Sequence, residues 1–193
     1  AAPVVWHQFD AQEDPASFID RLVDGLRPFF PSFGKETSLL LKKPGALNRP
    51  LTVITGFFQE LSVHSTEKLL LAFDDYHHLT EPAMHGFMEL FLTHLPRQVE
   101  CCLASRTPLP FSLSRLEIDG RVVTVDSETI RFSPEEIAFY FNIENPRDDR
   151  VERLEQQTEG WPVALRLIKN TAPQLEMWEP AKSPQLFDYL ASE

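Results

Sequence analysis

Two apolar runs in this sequence end in groups able to do chemistry. Lys68-Leu69-Leu70-Leu71-Ala72-Phe73 closes on Asp74-Asp75, and Val99-Glu100-Cys101-Cys102-Leu103-Ala104 closes on Ser105-Arg106. An apolar run without alternation is the pattern of a strand buried on both faces. In a parallel sheet, ligands collect beyond the carboxyl ends of the strands. A carboxylate pair there can hold Mg²⁺ through oxygen while its second member orients an attacking water. An arginine at the neighbouring strand tip can grip a terminal phosphate with two parallel hydrogen bonds. The same residue types also serve ordinary turns, with Asp74-Asp75 capping the next turn and Arg106 pairing with a surface carboxylate.

Three histidines, His77, His78 and His85, follow the acid pair and invite a metal-hydrolase reading. Adjacent histidines on a regular strand point to opposite sides, and the spacing to His85 fits no ligand motif, so they read as solvated turn residues. Cys101 and Cys102, the two cysteines present, read as reduced, buried, small apolar residues rather than a redox pair. Gly34-Lys35-Glu36-Thr37 has the look of a phosphate-loop ending. It follows a helix, lacks the preceding strand and first glycine, and reads as a turn.

The elements that must position these groups are legible in outline. Pro3 to Phe9 reads as a short strand. Asp14-Pro15 is an N-cap followed by a proline pre-set for the first helical turn. Phe18, Ile19, Leu22, Val23 and Leu26 then give one apolar helical face. Residues 31–50 read mainly as loop, and Leu51 to Leu61 as a second amphipathic helix. Pro82 opens a helix that Pro96 closes. After a proline-rich passage from Pro108 to Leu116, Arg121-Val122-Val123-Thr124-Val125 reads as a further strand. Ser133-Pro134-Glu135-Glu136 is a capping box ahead of Ile137 and Phe141. Two helical pieces, around 147–158 and 162–171, flank Glu159-Gly160-Trp161-Pro162, and residues 172–184 read as a linker. Alternating strands and helices predict an α/β fold, a parallel sheet covered on both faces. The expected domains are an α/β core over 1–128, a helical lid over 129–172, and a linker with the start of another domain over 173–193.

Composition narrows the function classes. The 193 residues carry 18 Lys and Arg against 29 Asp and Glu, a formal charge of −11 without a basic cluster, which argues against direct nucleic-acid contact. No apolar run approaches a membrane span and no basic signal-peptide start is present, so a cytoplasmic chain is expected.

Taken in order, the motifs resemble one family. Leu69 to Leu79, with Asp74-Asp75-Tyr76-His77-His78 inside it, resembles the Walker B segment of large bacterial regulators typified by the maltose-regulon activator. These are STAND-class P-loop ATPases that often end in a LuxR-type DNA-binding domain. Val4-Val5-Trp6 through Asp14-Pro15-Ala16-Ser17-Phe18 resembles the strand and helix after the phosphate loop. Leu103-Ala104-Ser105-Arg106 resembles the sensor strand, Ile130 to Glu136 the start of the lid, and Thr158 to Leu165 the GxP-type motif. The resemblance implies ATP and Mg²⁺ as cofactors. It makes Asp74 the metal-holding acid, Asp75 the catalytic residue that polarises water, and Arg106, Trp161 and Pro162 nucleotide-binding residues. Glu is commoner in related ATPases where Asp75 stands, which implies slow turnover suited to a switch.

The resemblance further implies signal transduction by self-association, an inducer bound by another domain, and DNA contact through a separate C-terminal domain. This chain carries no GxxxxGK[ST] loop, so the expected fold is P-loop NTPase-like but missing the first strand. The chain is then expected to be inactive by itself, and its strands at 99–105 and 121–125 to close up directly or to associate with another copy. The rival expectation is a protein-interaction module that keeps the ATPase fold without using nucleotide.

Overall fold

The computed structural model describes residues 2–171. The linker and domain start expected over 173–193 lie outside the described residues. The chain divides into two compact units, Ala1–Val122 and Val123–Glu193.

In the first unit, strands β1 (Val4–Gln8), β2 (Leu69–Asp74) and β3 (Val99–Leu103) form a parallel sheet in the order β1-β2-β3. Register places Val5 beside Leu71 and Cys101, and Trp6 beside Ala72 and Cys102. Helix α1 (Pro15–Leu26) opens as the sequence dictates: the Asp14 carboxylate accepts the amides of Ala16 and Ser17, and Pro15 starts the helix. Its buried face of Phe18, Ile19, Leu22, Val23 and Leu26 lies in a core with Val5, Phe9, Leu71 and Phe73. Phe18 meets Phe9, Phe73 and Phe91 at ring separations of 5.4–5.7 Å. Edge-to-face and offset contacts of this kind add specificity to apolar burial. Helices α3 (Pro50–His64) and α4 (Pro82–Thr93) contribute Phe57, Phe58, Phe87 and Phe91 to the same core.

Four expectations are corrected. The stretch read as loop over 31–50 contains helix α2 (Lys35–Leu41) and a 3₁₀ turn over Ala46–Asn48. The α2 backbone is stabilised by a distant side chain, Glu60, which local composition does not reveal. Residues 121–125 form no strand: Val123 and Val125 are exposed, and the nearby short helices are α5 (Ser114–Ile118) and α6 (Ser127–Ile130). β-Branched residues favour a strand only where a neighbouring strand offers a ladder and a packing face. Among the described residues, the sheet is covered on one face rather than on both. The helices pack against the face of Val5, His7, Phe9, Leu71 and Phe73. On the opposite face Trp6 is 66% exposed, Val4 50%, and Cys102 is also exposed. Cys102 is therefore not the buried residue expected, because strand alternation turns it away from half-buried Cys101.

The second unit packs α7 (Pro134–Phe141), α8 (Asp149–Thr158) and α9 (Pro162–Thr171) around Ile137, Val151, Leu154, Leu165 and Ile168. The capping box is formed as read: the Ser133 hydroxyl accepts the Glu136 amide, and the Glu136 carboxylate accepts the Ser133 amide. Among the described residues, no helix is long and apolar enough to cross a membrane.

Candidate functional site

The acid pair sits where β2 stops. Ladder bonds carry the strand to its last residue, with Phe9 N–H donating to the Asp74 carbonyl at 3.0 Å. Asp74 Oδ1 then accepts the amide of Asp75 at 2.9 Å. Asp75 adopts a left-handed conformation, φ 56° and ψ 36°, which non-glycine residues adopt uncommonly and Asp more readily than most. That single residue turns the chain from the sheet into a 3₁₀ turn, Tyr76–His78. Tyr76 anchors the turn: it is buried, its amide donates to the Ala104 carbonyl at 3.1 Å, and its hydroxyl meets His85 Nδ1 at 2.9 Å. The Tyr76 amide bond also ties the segment after β2 to the segment after β3, which carries Ser105 and Arg106.

Gln8, the last residue of β1 and the register partner of Asp74, donates from Nε2 to Asp75 Oδ2 at 2.7 Å. This bond is the main reason that the Asp75 carboxyl lies below the ordinary aspartate range. Partial burial opposes it, and the charges of His78, His77 and Arg106 add to the lowering. Asp74, Asp75 and the Arg106 charge are thus brought to one edge of the sheet. Trp161 and Pro162 belong to the second unit. Trp161 is 43% exposed, and α9 begins at Pro162 after a joint in which Phe132 N–H donates to the Gly160 carbonyl at 2.7 Å. Gly160 has φ 72°, and a Cβ there would lie 2.5 Å from the Phe132 carbonyl oxygen, so the joint requires glycine.

The Gly34-Lys35-Glu36-Thr37 look-alike is already occupied by the protein itself. Glu60 Oε1 accepts the amides of Gly34 and Glu36 at 2.9 and 3.2 Å. Its Oε2 accepts the Thr37 amide at 2.8 Å and the Thr37 hydroxyl at 2.7 Å. A carboxylate fills the amide nest that a phosphate loop would offer. Burial pulls the Glu60 carboxyl upward, yet the hydrogen bonds from Thr37, Glu36 and Gly34 outweigh it and leave it below the ordinary glutamate range.

Sequence reading missed Gln8, Glu60 and a buried His7–Glu13 pair. The signal for Gln8 was available, since it is the polar end of the strand beside β2. Glu60 looked like any polar position on a helix. His7 Nε2 and Glu13 Oε2 lie 2.9 Å apart beneath Phe9, Phe18 and Phe73. Arg21 approaches Glu13 Oε1 at 3.6 Å, an ion-pair contact too long for a hydrogen bond.

No family model matches the chain. It aligns with the HTH-type transcriptional regulator MalT of Vibrio parahaemolyticus at 24% identity over 202 residues, covering 98% of this chain and 22% of that protein. This chain is similar to MalT regulators. The Vibrio campbellii MalT is 24% identical over 205 residues, covering 98% of this chain and 22% of its own length. The Yersinia enterocolitica MalT is 28% identical over 154 residues, covering 72% of this chain and 17% of its own length. The chain thus spans about a fifth of the length of the MalT proteins it matches.

Proposed function

We propose that this chain is a nucleotide-switch segment of a cytoplasmic bacterial transcription regulator, in which the carboxyl edge of the sheet supplies half of an ATP·Mg²⁺ pocket. The observation that carries the reading is the convergence at that edge. Asp74 and Asp75 close the central strand, Gln8 fixes the second carboxylate, and the Arg106 charge acts on it. The likeness to MalT transcriptional regulators along nearly the whole chain supports the regulatory setting.

The residues present suit the group. Asp74 is half-buried and offers a hard oxygen donor, the type Mg²⁺ takes. Asp74 would hold the ion, Arg106 would meet the terminal phosphate, and Trp161 with Pro162 would face the adenine or ribose. When bound, Mg²⁺ would neutralise phosphate charge. Asp75 acts through acceptance: Gln8 holds its Oδ2, and a carboxyl kept below its ordinary range is ionised and a weak base. It orients a water well and removes a proton from it poorly, which suits slow turnover at most. The phosphate-cradling amides would come from outside these 193 residues, because the sequence carries no GxxxxGK[ST] loop and Glu60 fills the amide nest at Gly34. Helices α7–α9 would act as the lid, self-association would follow activation, and inducer and DNA would be bound by other domains.

A nucleotide-independent interaction module is the second reading, favoured by the uncovered sheet face that carries Val4, Trp6 and Cys102. Calorimetry separates the two. In the full-length regulator, Asp74→Ala and Arg106→Ala are expected to abolish ATP binding and signalling together, while the 193-residue chain binds ATP weakly. Micromolar ATP affinity in the 193-residue chain would sink the half-pocket assignment. Normal signalling by both variants would establish the interaction module instead.

A further inference from the structure

We propose that Asp75, His77 and His78 form a binding site for a transition-metal dication of the Zn²⁺ type, distinct from the Mg²⁺ role given to Asp74 and mutually exclusive with the water-orienting role of Asp75. One ligand atom from each of the three residues lies within 4.8 Å of the others. Adjacent histidines diverge on a regular strand, but these two occupy a 3₁₀ turn, and their rings lie 4.2 Å apart, tilted by 48°. The left-handed backbone at Asp75 brings its carboxylate round to the same side. Gln8 engages Oδ2, and Oδ1 faces His77 Nδ1 at 4.0 Å.

The second, independent observation is an orphaned ring nitrogen. His77 Nδ1 is buried and has no hydrogen-bond partner. A buried ring nitrogen without a partner is costly, and such groups call for an explanation. Its 4.0 Å separation from Asp75 Oδ1 is too long for a hydrogen bond. Two ligands about 2 Å from one tetrahedral ion lie about 3.3 Å apart, so the two side chains would close by less than about 1 Å around it. Two imidazoles and one carboxylate favour Zn²⁺, Ni²⁺ or Cu²⁺ over Mg²⁺ or Ca²⁺, which prefer all-oxygen sites. Three protein ligands leave a fourth position open to water. Gln8 has the part of an outer partner that orients a ligating carboxylate.

The test is a Zn²⁺ titration of the untagged 193-residue chain by calorimetry, with competition against a chromogenic chelator. We expect one ion per chain, retained in a large excess of Mg²⁺. His77→Ala and His78→Ala should each weaken binding by about a hundredfold or more, and Gln8→Ala by about tenfold. His94→Ala and Cys102→Ser should leave it unchanged. His78 is exposed, so its variant keeps the fold even if His77→Ala does not, and circular dichroism checks both. Wild-type Zn²⁺ affinity in His78→Ala, displacement by equimolar Mg²⁺, or loss of binding in Cys102→Ser would each overturn the proposal.

Discussion

Replacing Glu60 tests whether α2 is organised around a carboxylate of the protein itself rather than awaiting a phosphate. Glu60→Ala removes the acceptor for the Gly34, Glu36 and Thr37 amides and for the Thr37 hydroxyl. Gly34 and Thr37 are buried, so at least three of these donors lose their partner away from bulk water. Each buried unsatisfied donor costs about 1–3 kcal/mol, and water entering the vacated space recovers part of that. A net loss of about 3–5 kcal/mol is expected, a large share of the ~5–15 kcal/mol that holds a domain together. The assay is urea unfolding followed by circular dichroism at pH 7, with the midpoint falling at unchanged m-value. Glu60→Gln keeps one acceptor but turns an amide NH₂ toward Thr37, so it should fall between the two.

The pH dependence has a definite sign. The folded carboxyl of Glu60 lies below the ordinary glutamate range, so its stabilisation is present above that range and is lost as pH falls through the folded pKa. The gap between wild type and Glu60→Gln should therefore narrow on acidification. A Glu60→Ala protein within about 0.5 kcal/mol of wild type at pH 7, the ordinary range for an inert surface change, would refute the argument. It would also reopen Gly34–Thr37 as an anion site.

Glu13→Ala leaves His7 buried without its partner and should destabilise by about 3–5 kcal/mol in the same unfolding assay, whereas Asp20→Ala, on the exposed side of α1, should cost little. Burial pushes the Cys101 thiol up to about 12, while Cys102 is exposed. An aromatic disulfide reagent at pH 8 should therefore titrate one thiol in the native chain and two after unfolding. Ser133→Ala removes the hydroxyl that accepts the Glu136 amide and should cost about 1 kcal/mol of stability in the α7–α9 unit. The Asp148 carboxyl is lowered to about 2, chiefly by its bond from the Arg150 side chain. A carboxyl-detected NMR titration should show that midpoint move upward in Arg150→Ala.

What could be read from the sequence was what local chemistry decides. Asp14-Pro15 and Ser133-Pro134 specify helix starts whatever lies around them, and both caps form with the expected partners. The apolar runs ending in Asp74 and near Arg106 specify parallel strands, and those strands pair in the sheet, although β3 is buried at Val99 and not on both faces. The failures lie where a distant element decides. Helix α2 depends on Glu60, far along the chain. Residues 121–125 have strand-forming side chains but no ladder to join. The His77–His78 geometry depends on one left-handed aspartate, and no spacing rule encodes that. For the candidate site, the sequence pointed to Asp74, Asp75 and Arg106. The hydrogen bond that orients Asp75 required knowing that Gln8 lies alongside.

The parallel register also sets a timetable for folding. Leu69 pairs with Val99 across one helix, whereas Val4 must find Leu70 across three helices. Closing the longer loop costs less than about 1 kcal/mol more in chain entropy, so the difference governs sequence of events rather than final stability. The β2–α4–β3 crossover should assemble first, with β1 docking last onto a preformed edge. Pulse-labelled hydrogen exchange during refolding would then protect the Cys102 and Ala104 amides, which face β2, before those of Val5 and His7; the reverse order would show that the amino-terminal strand nucleates the sheet.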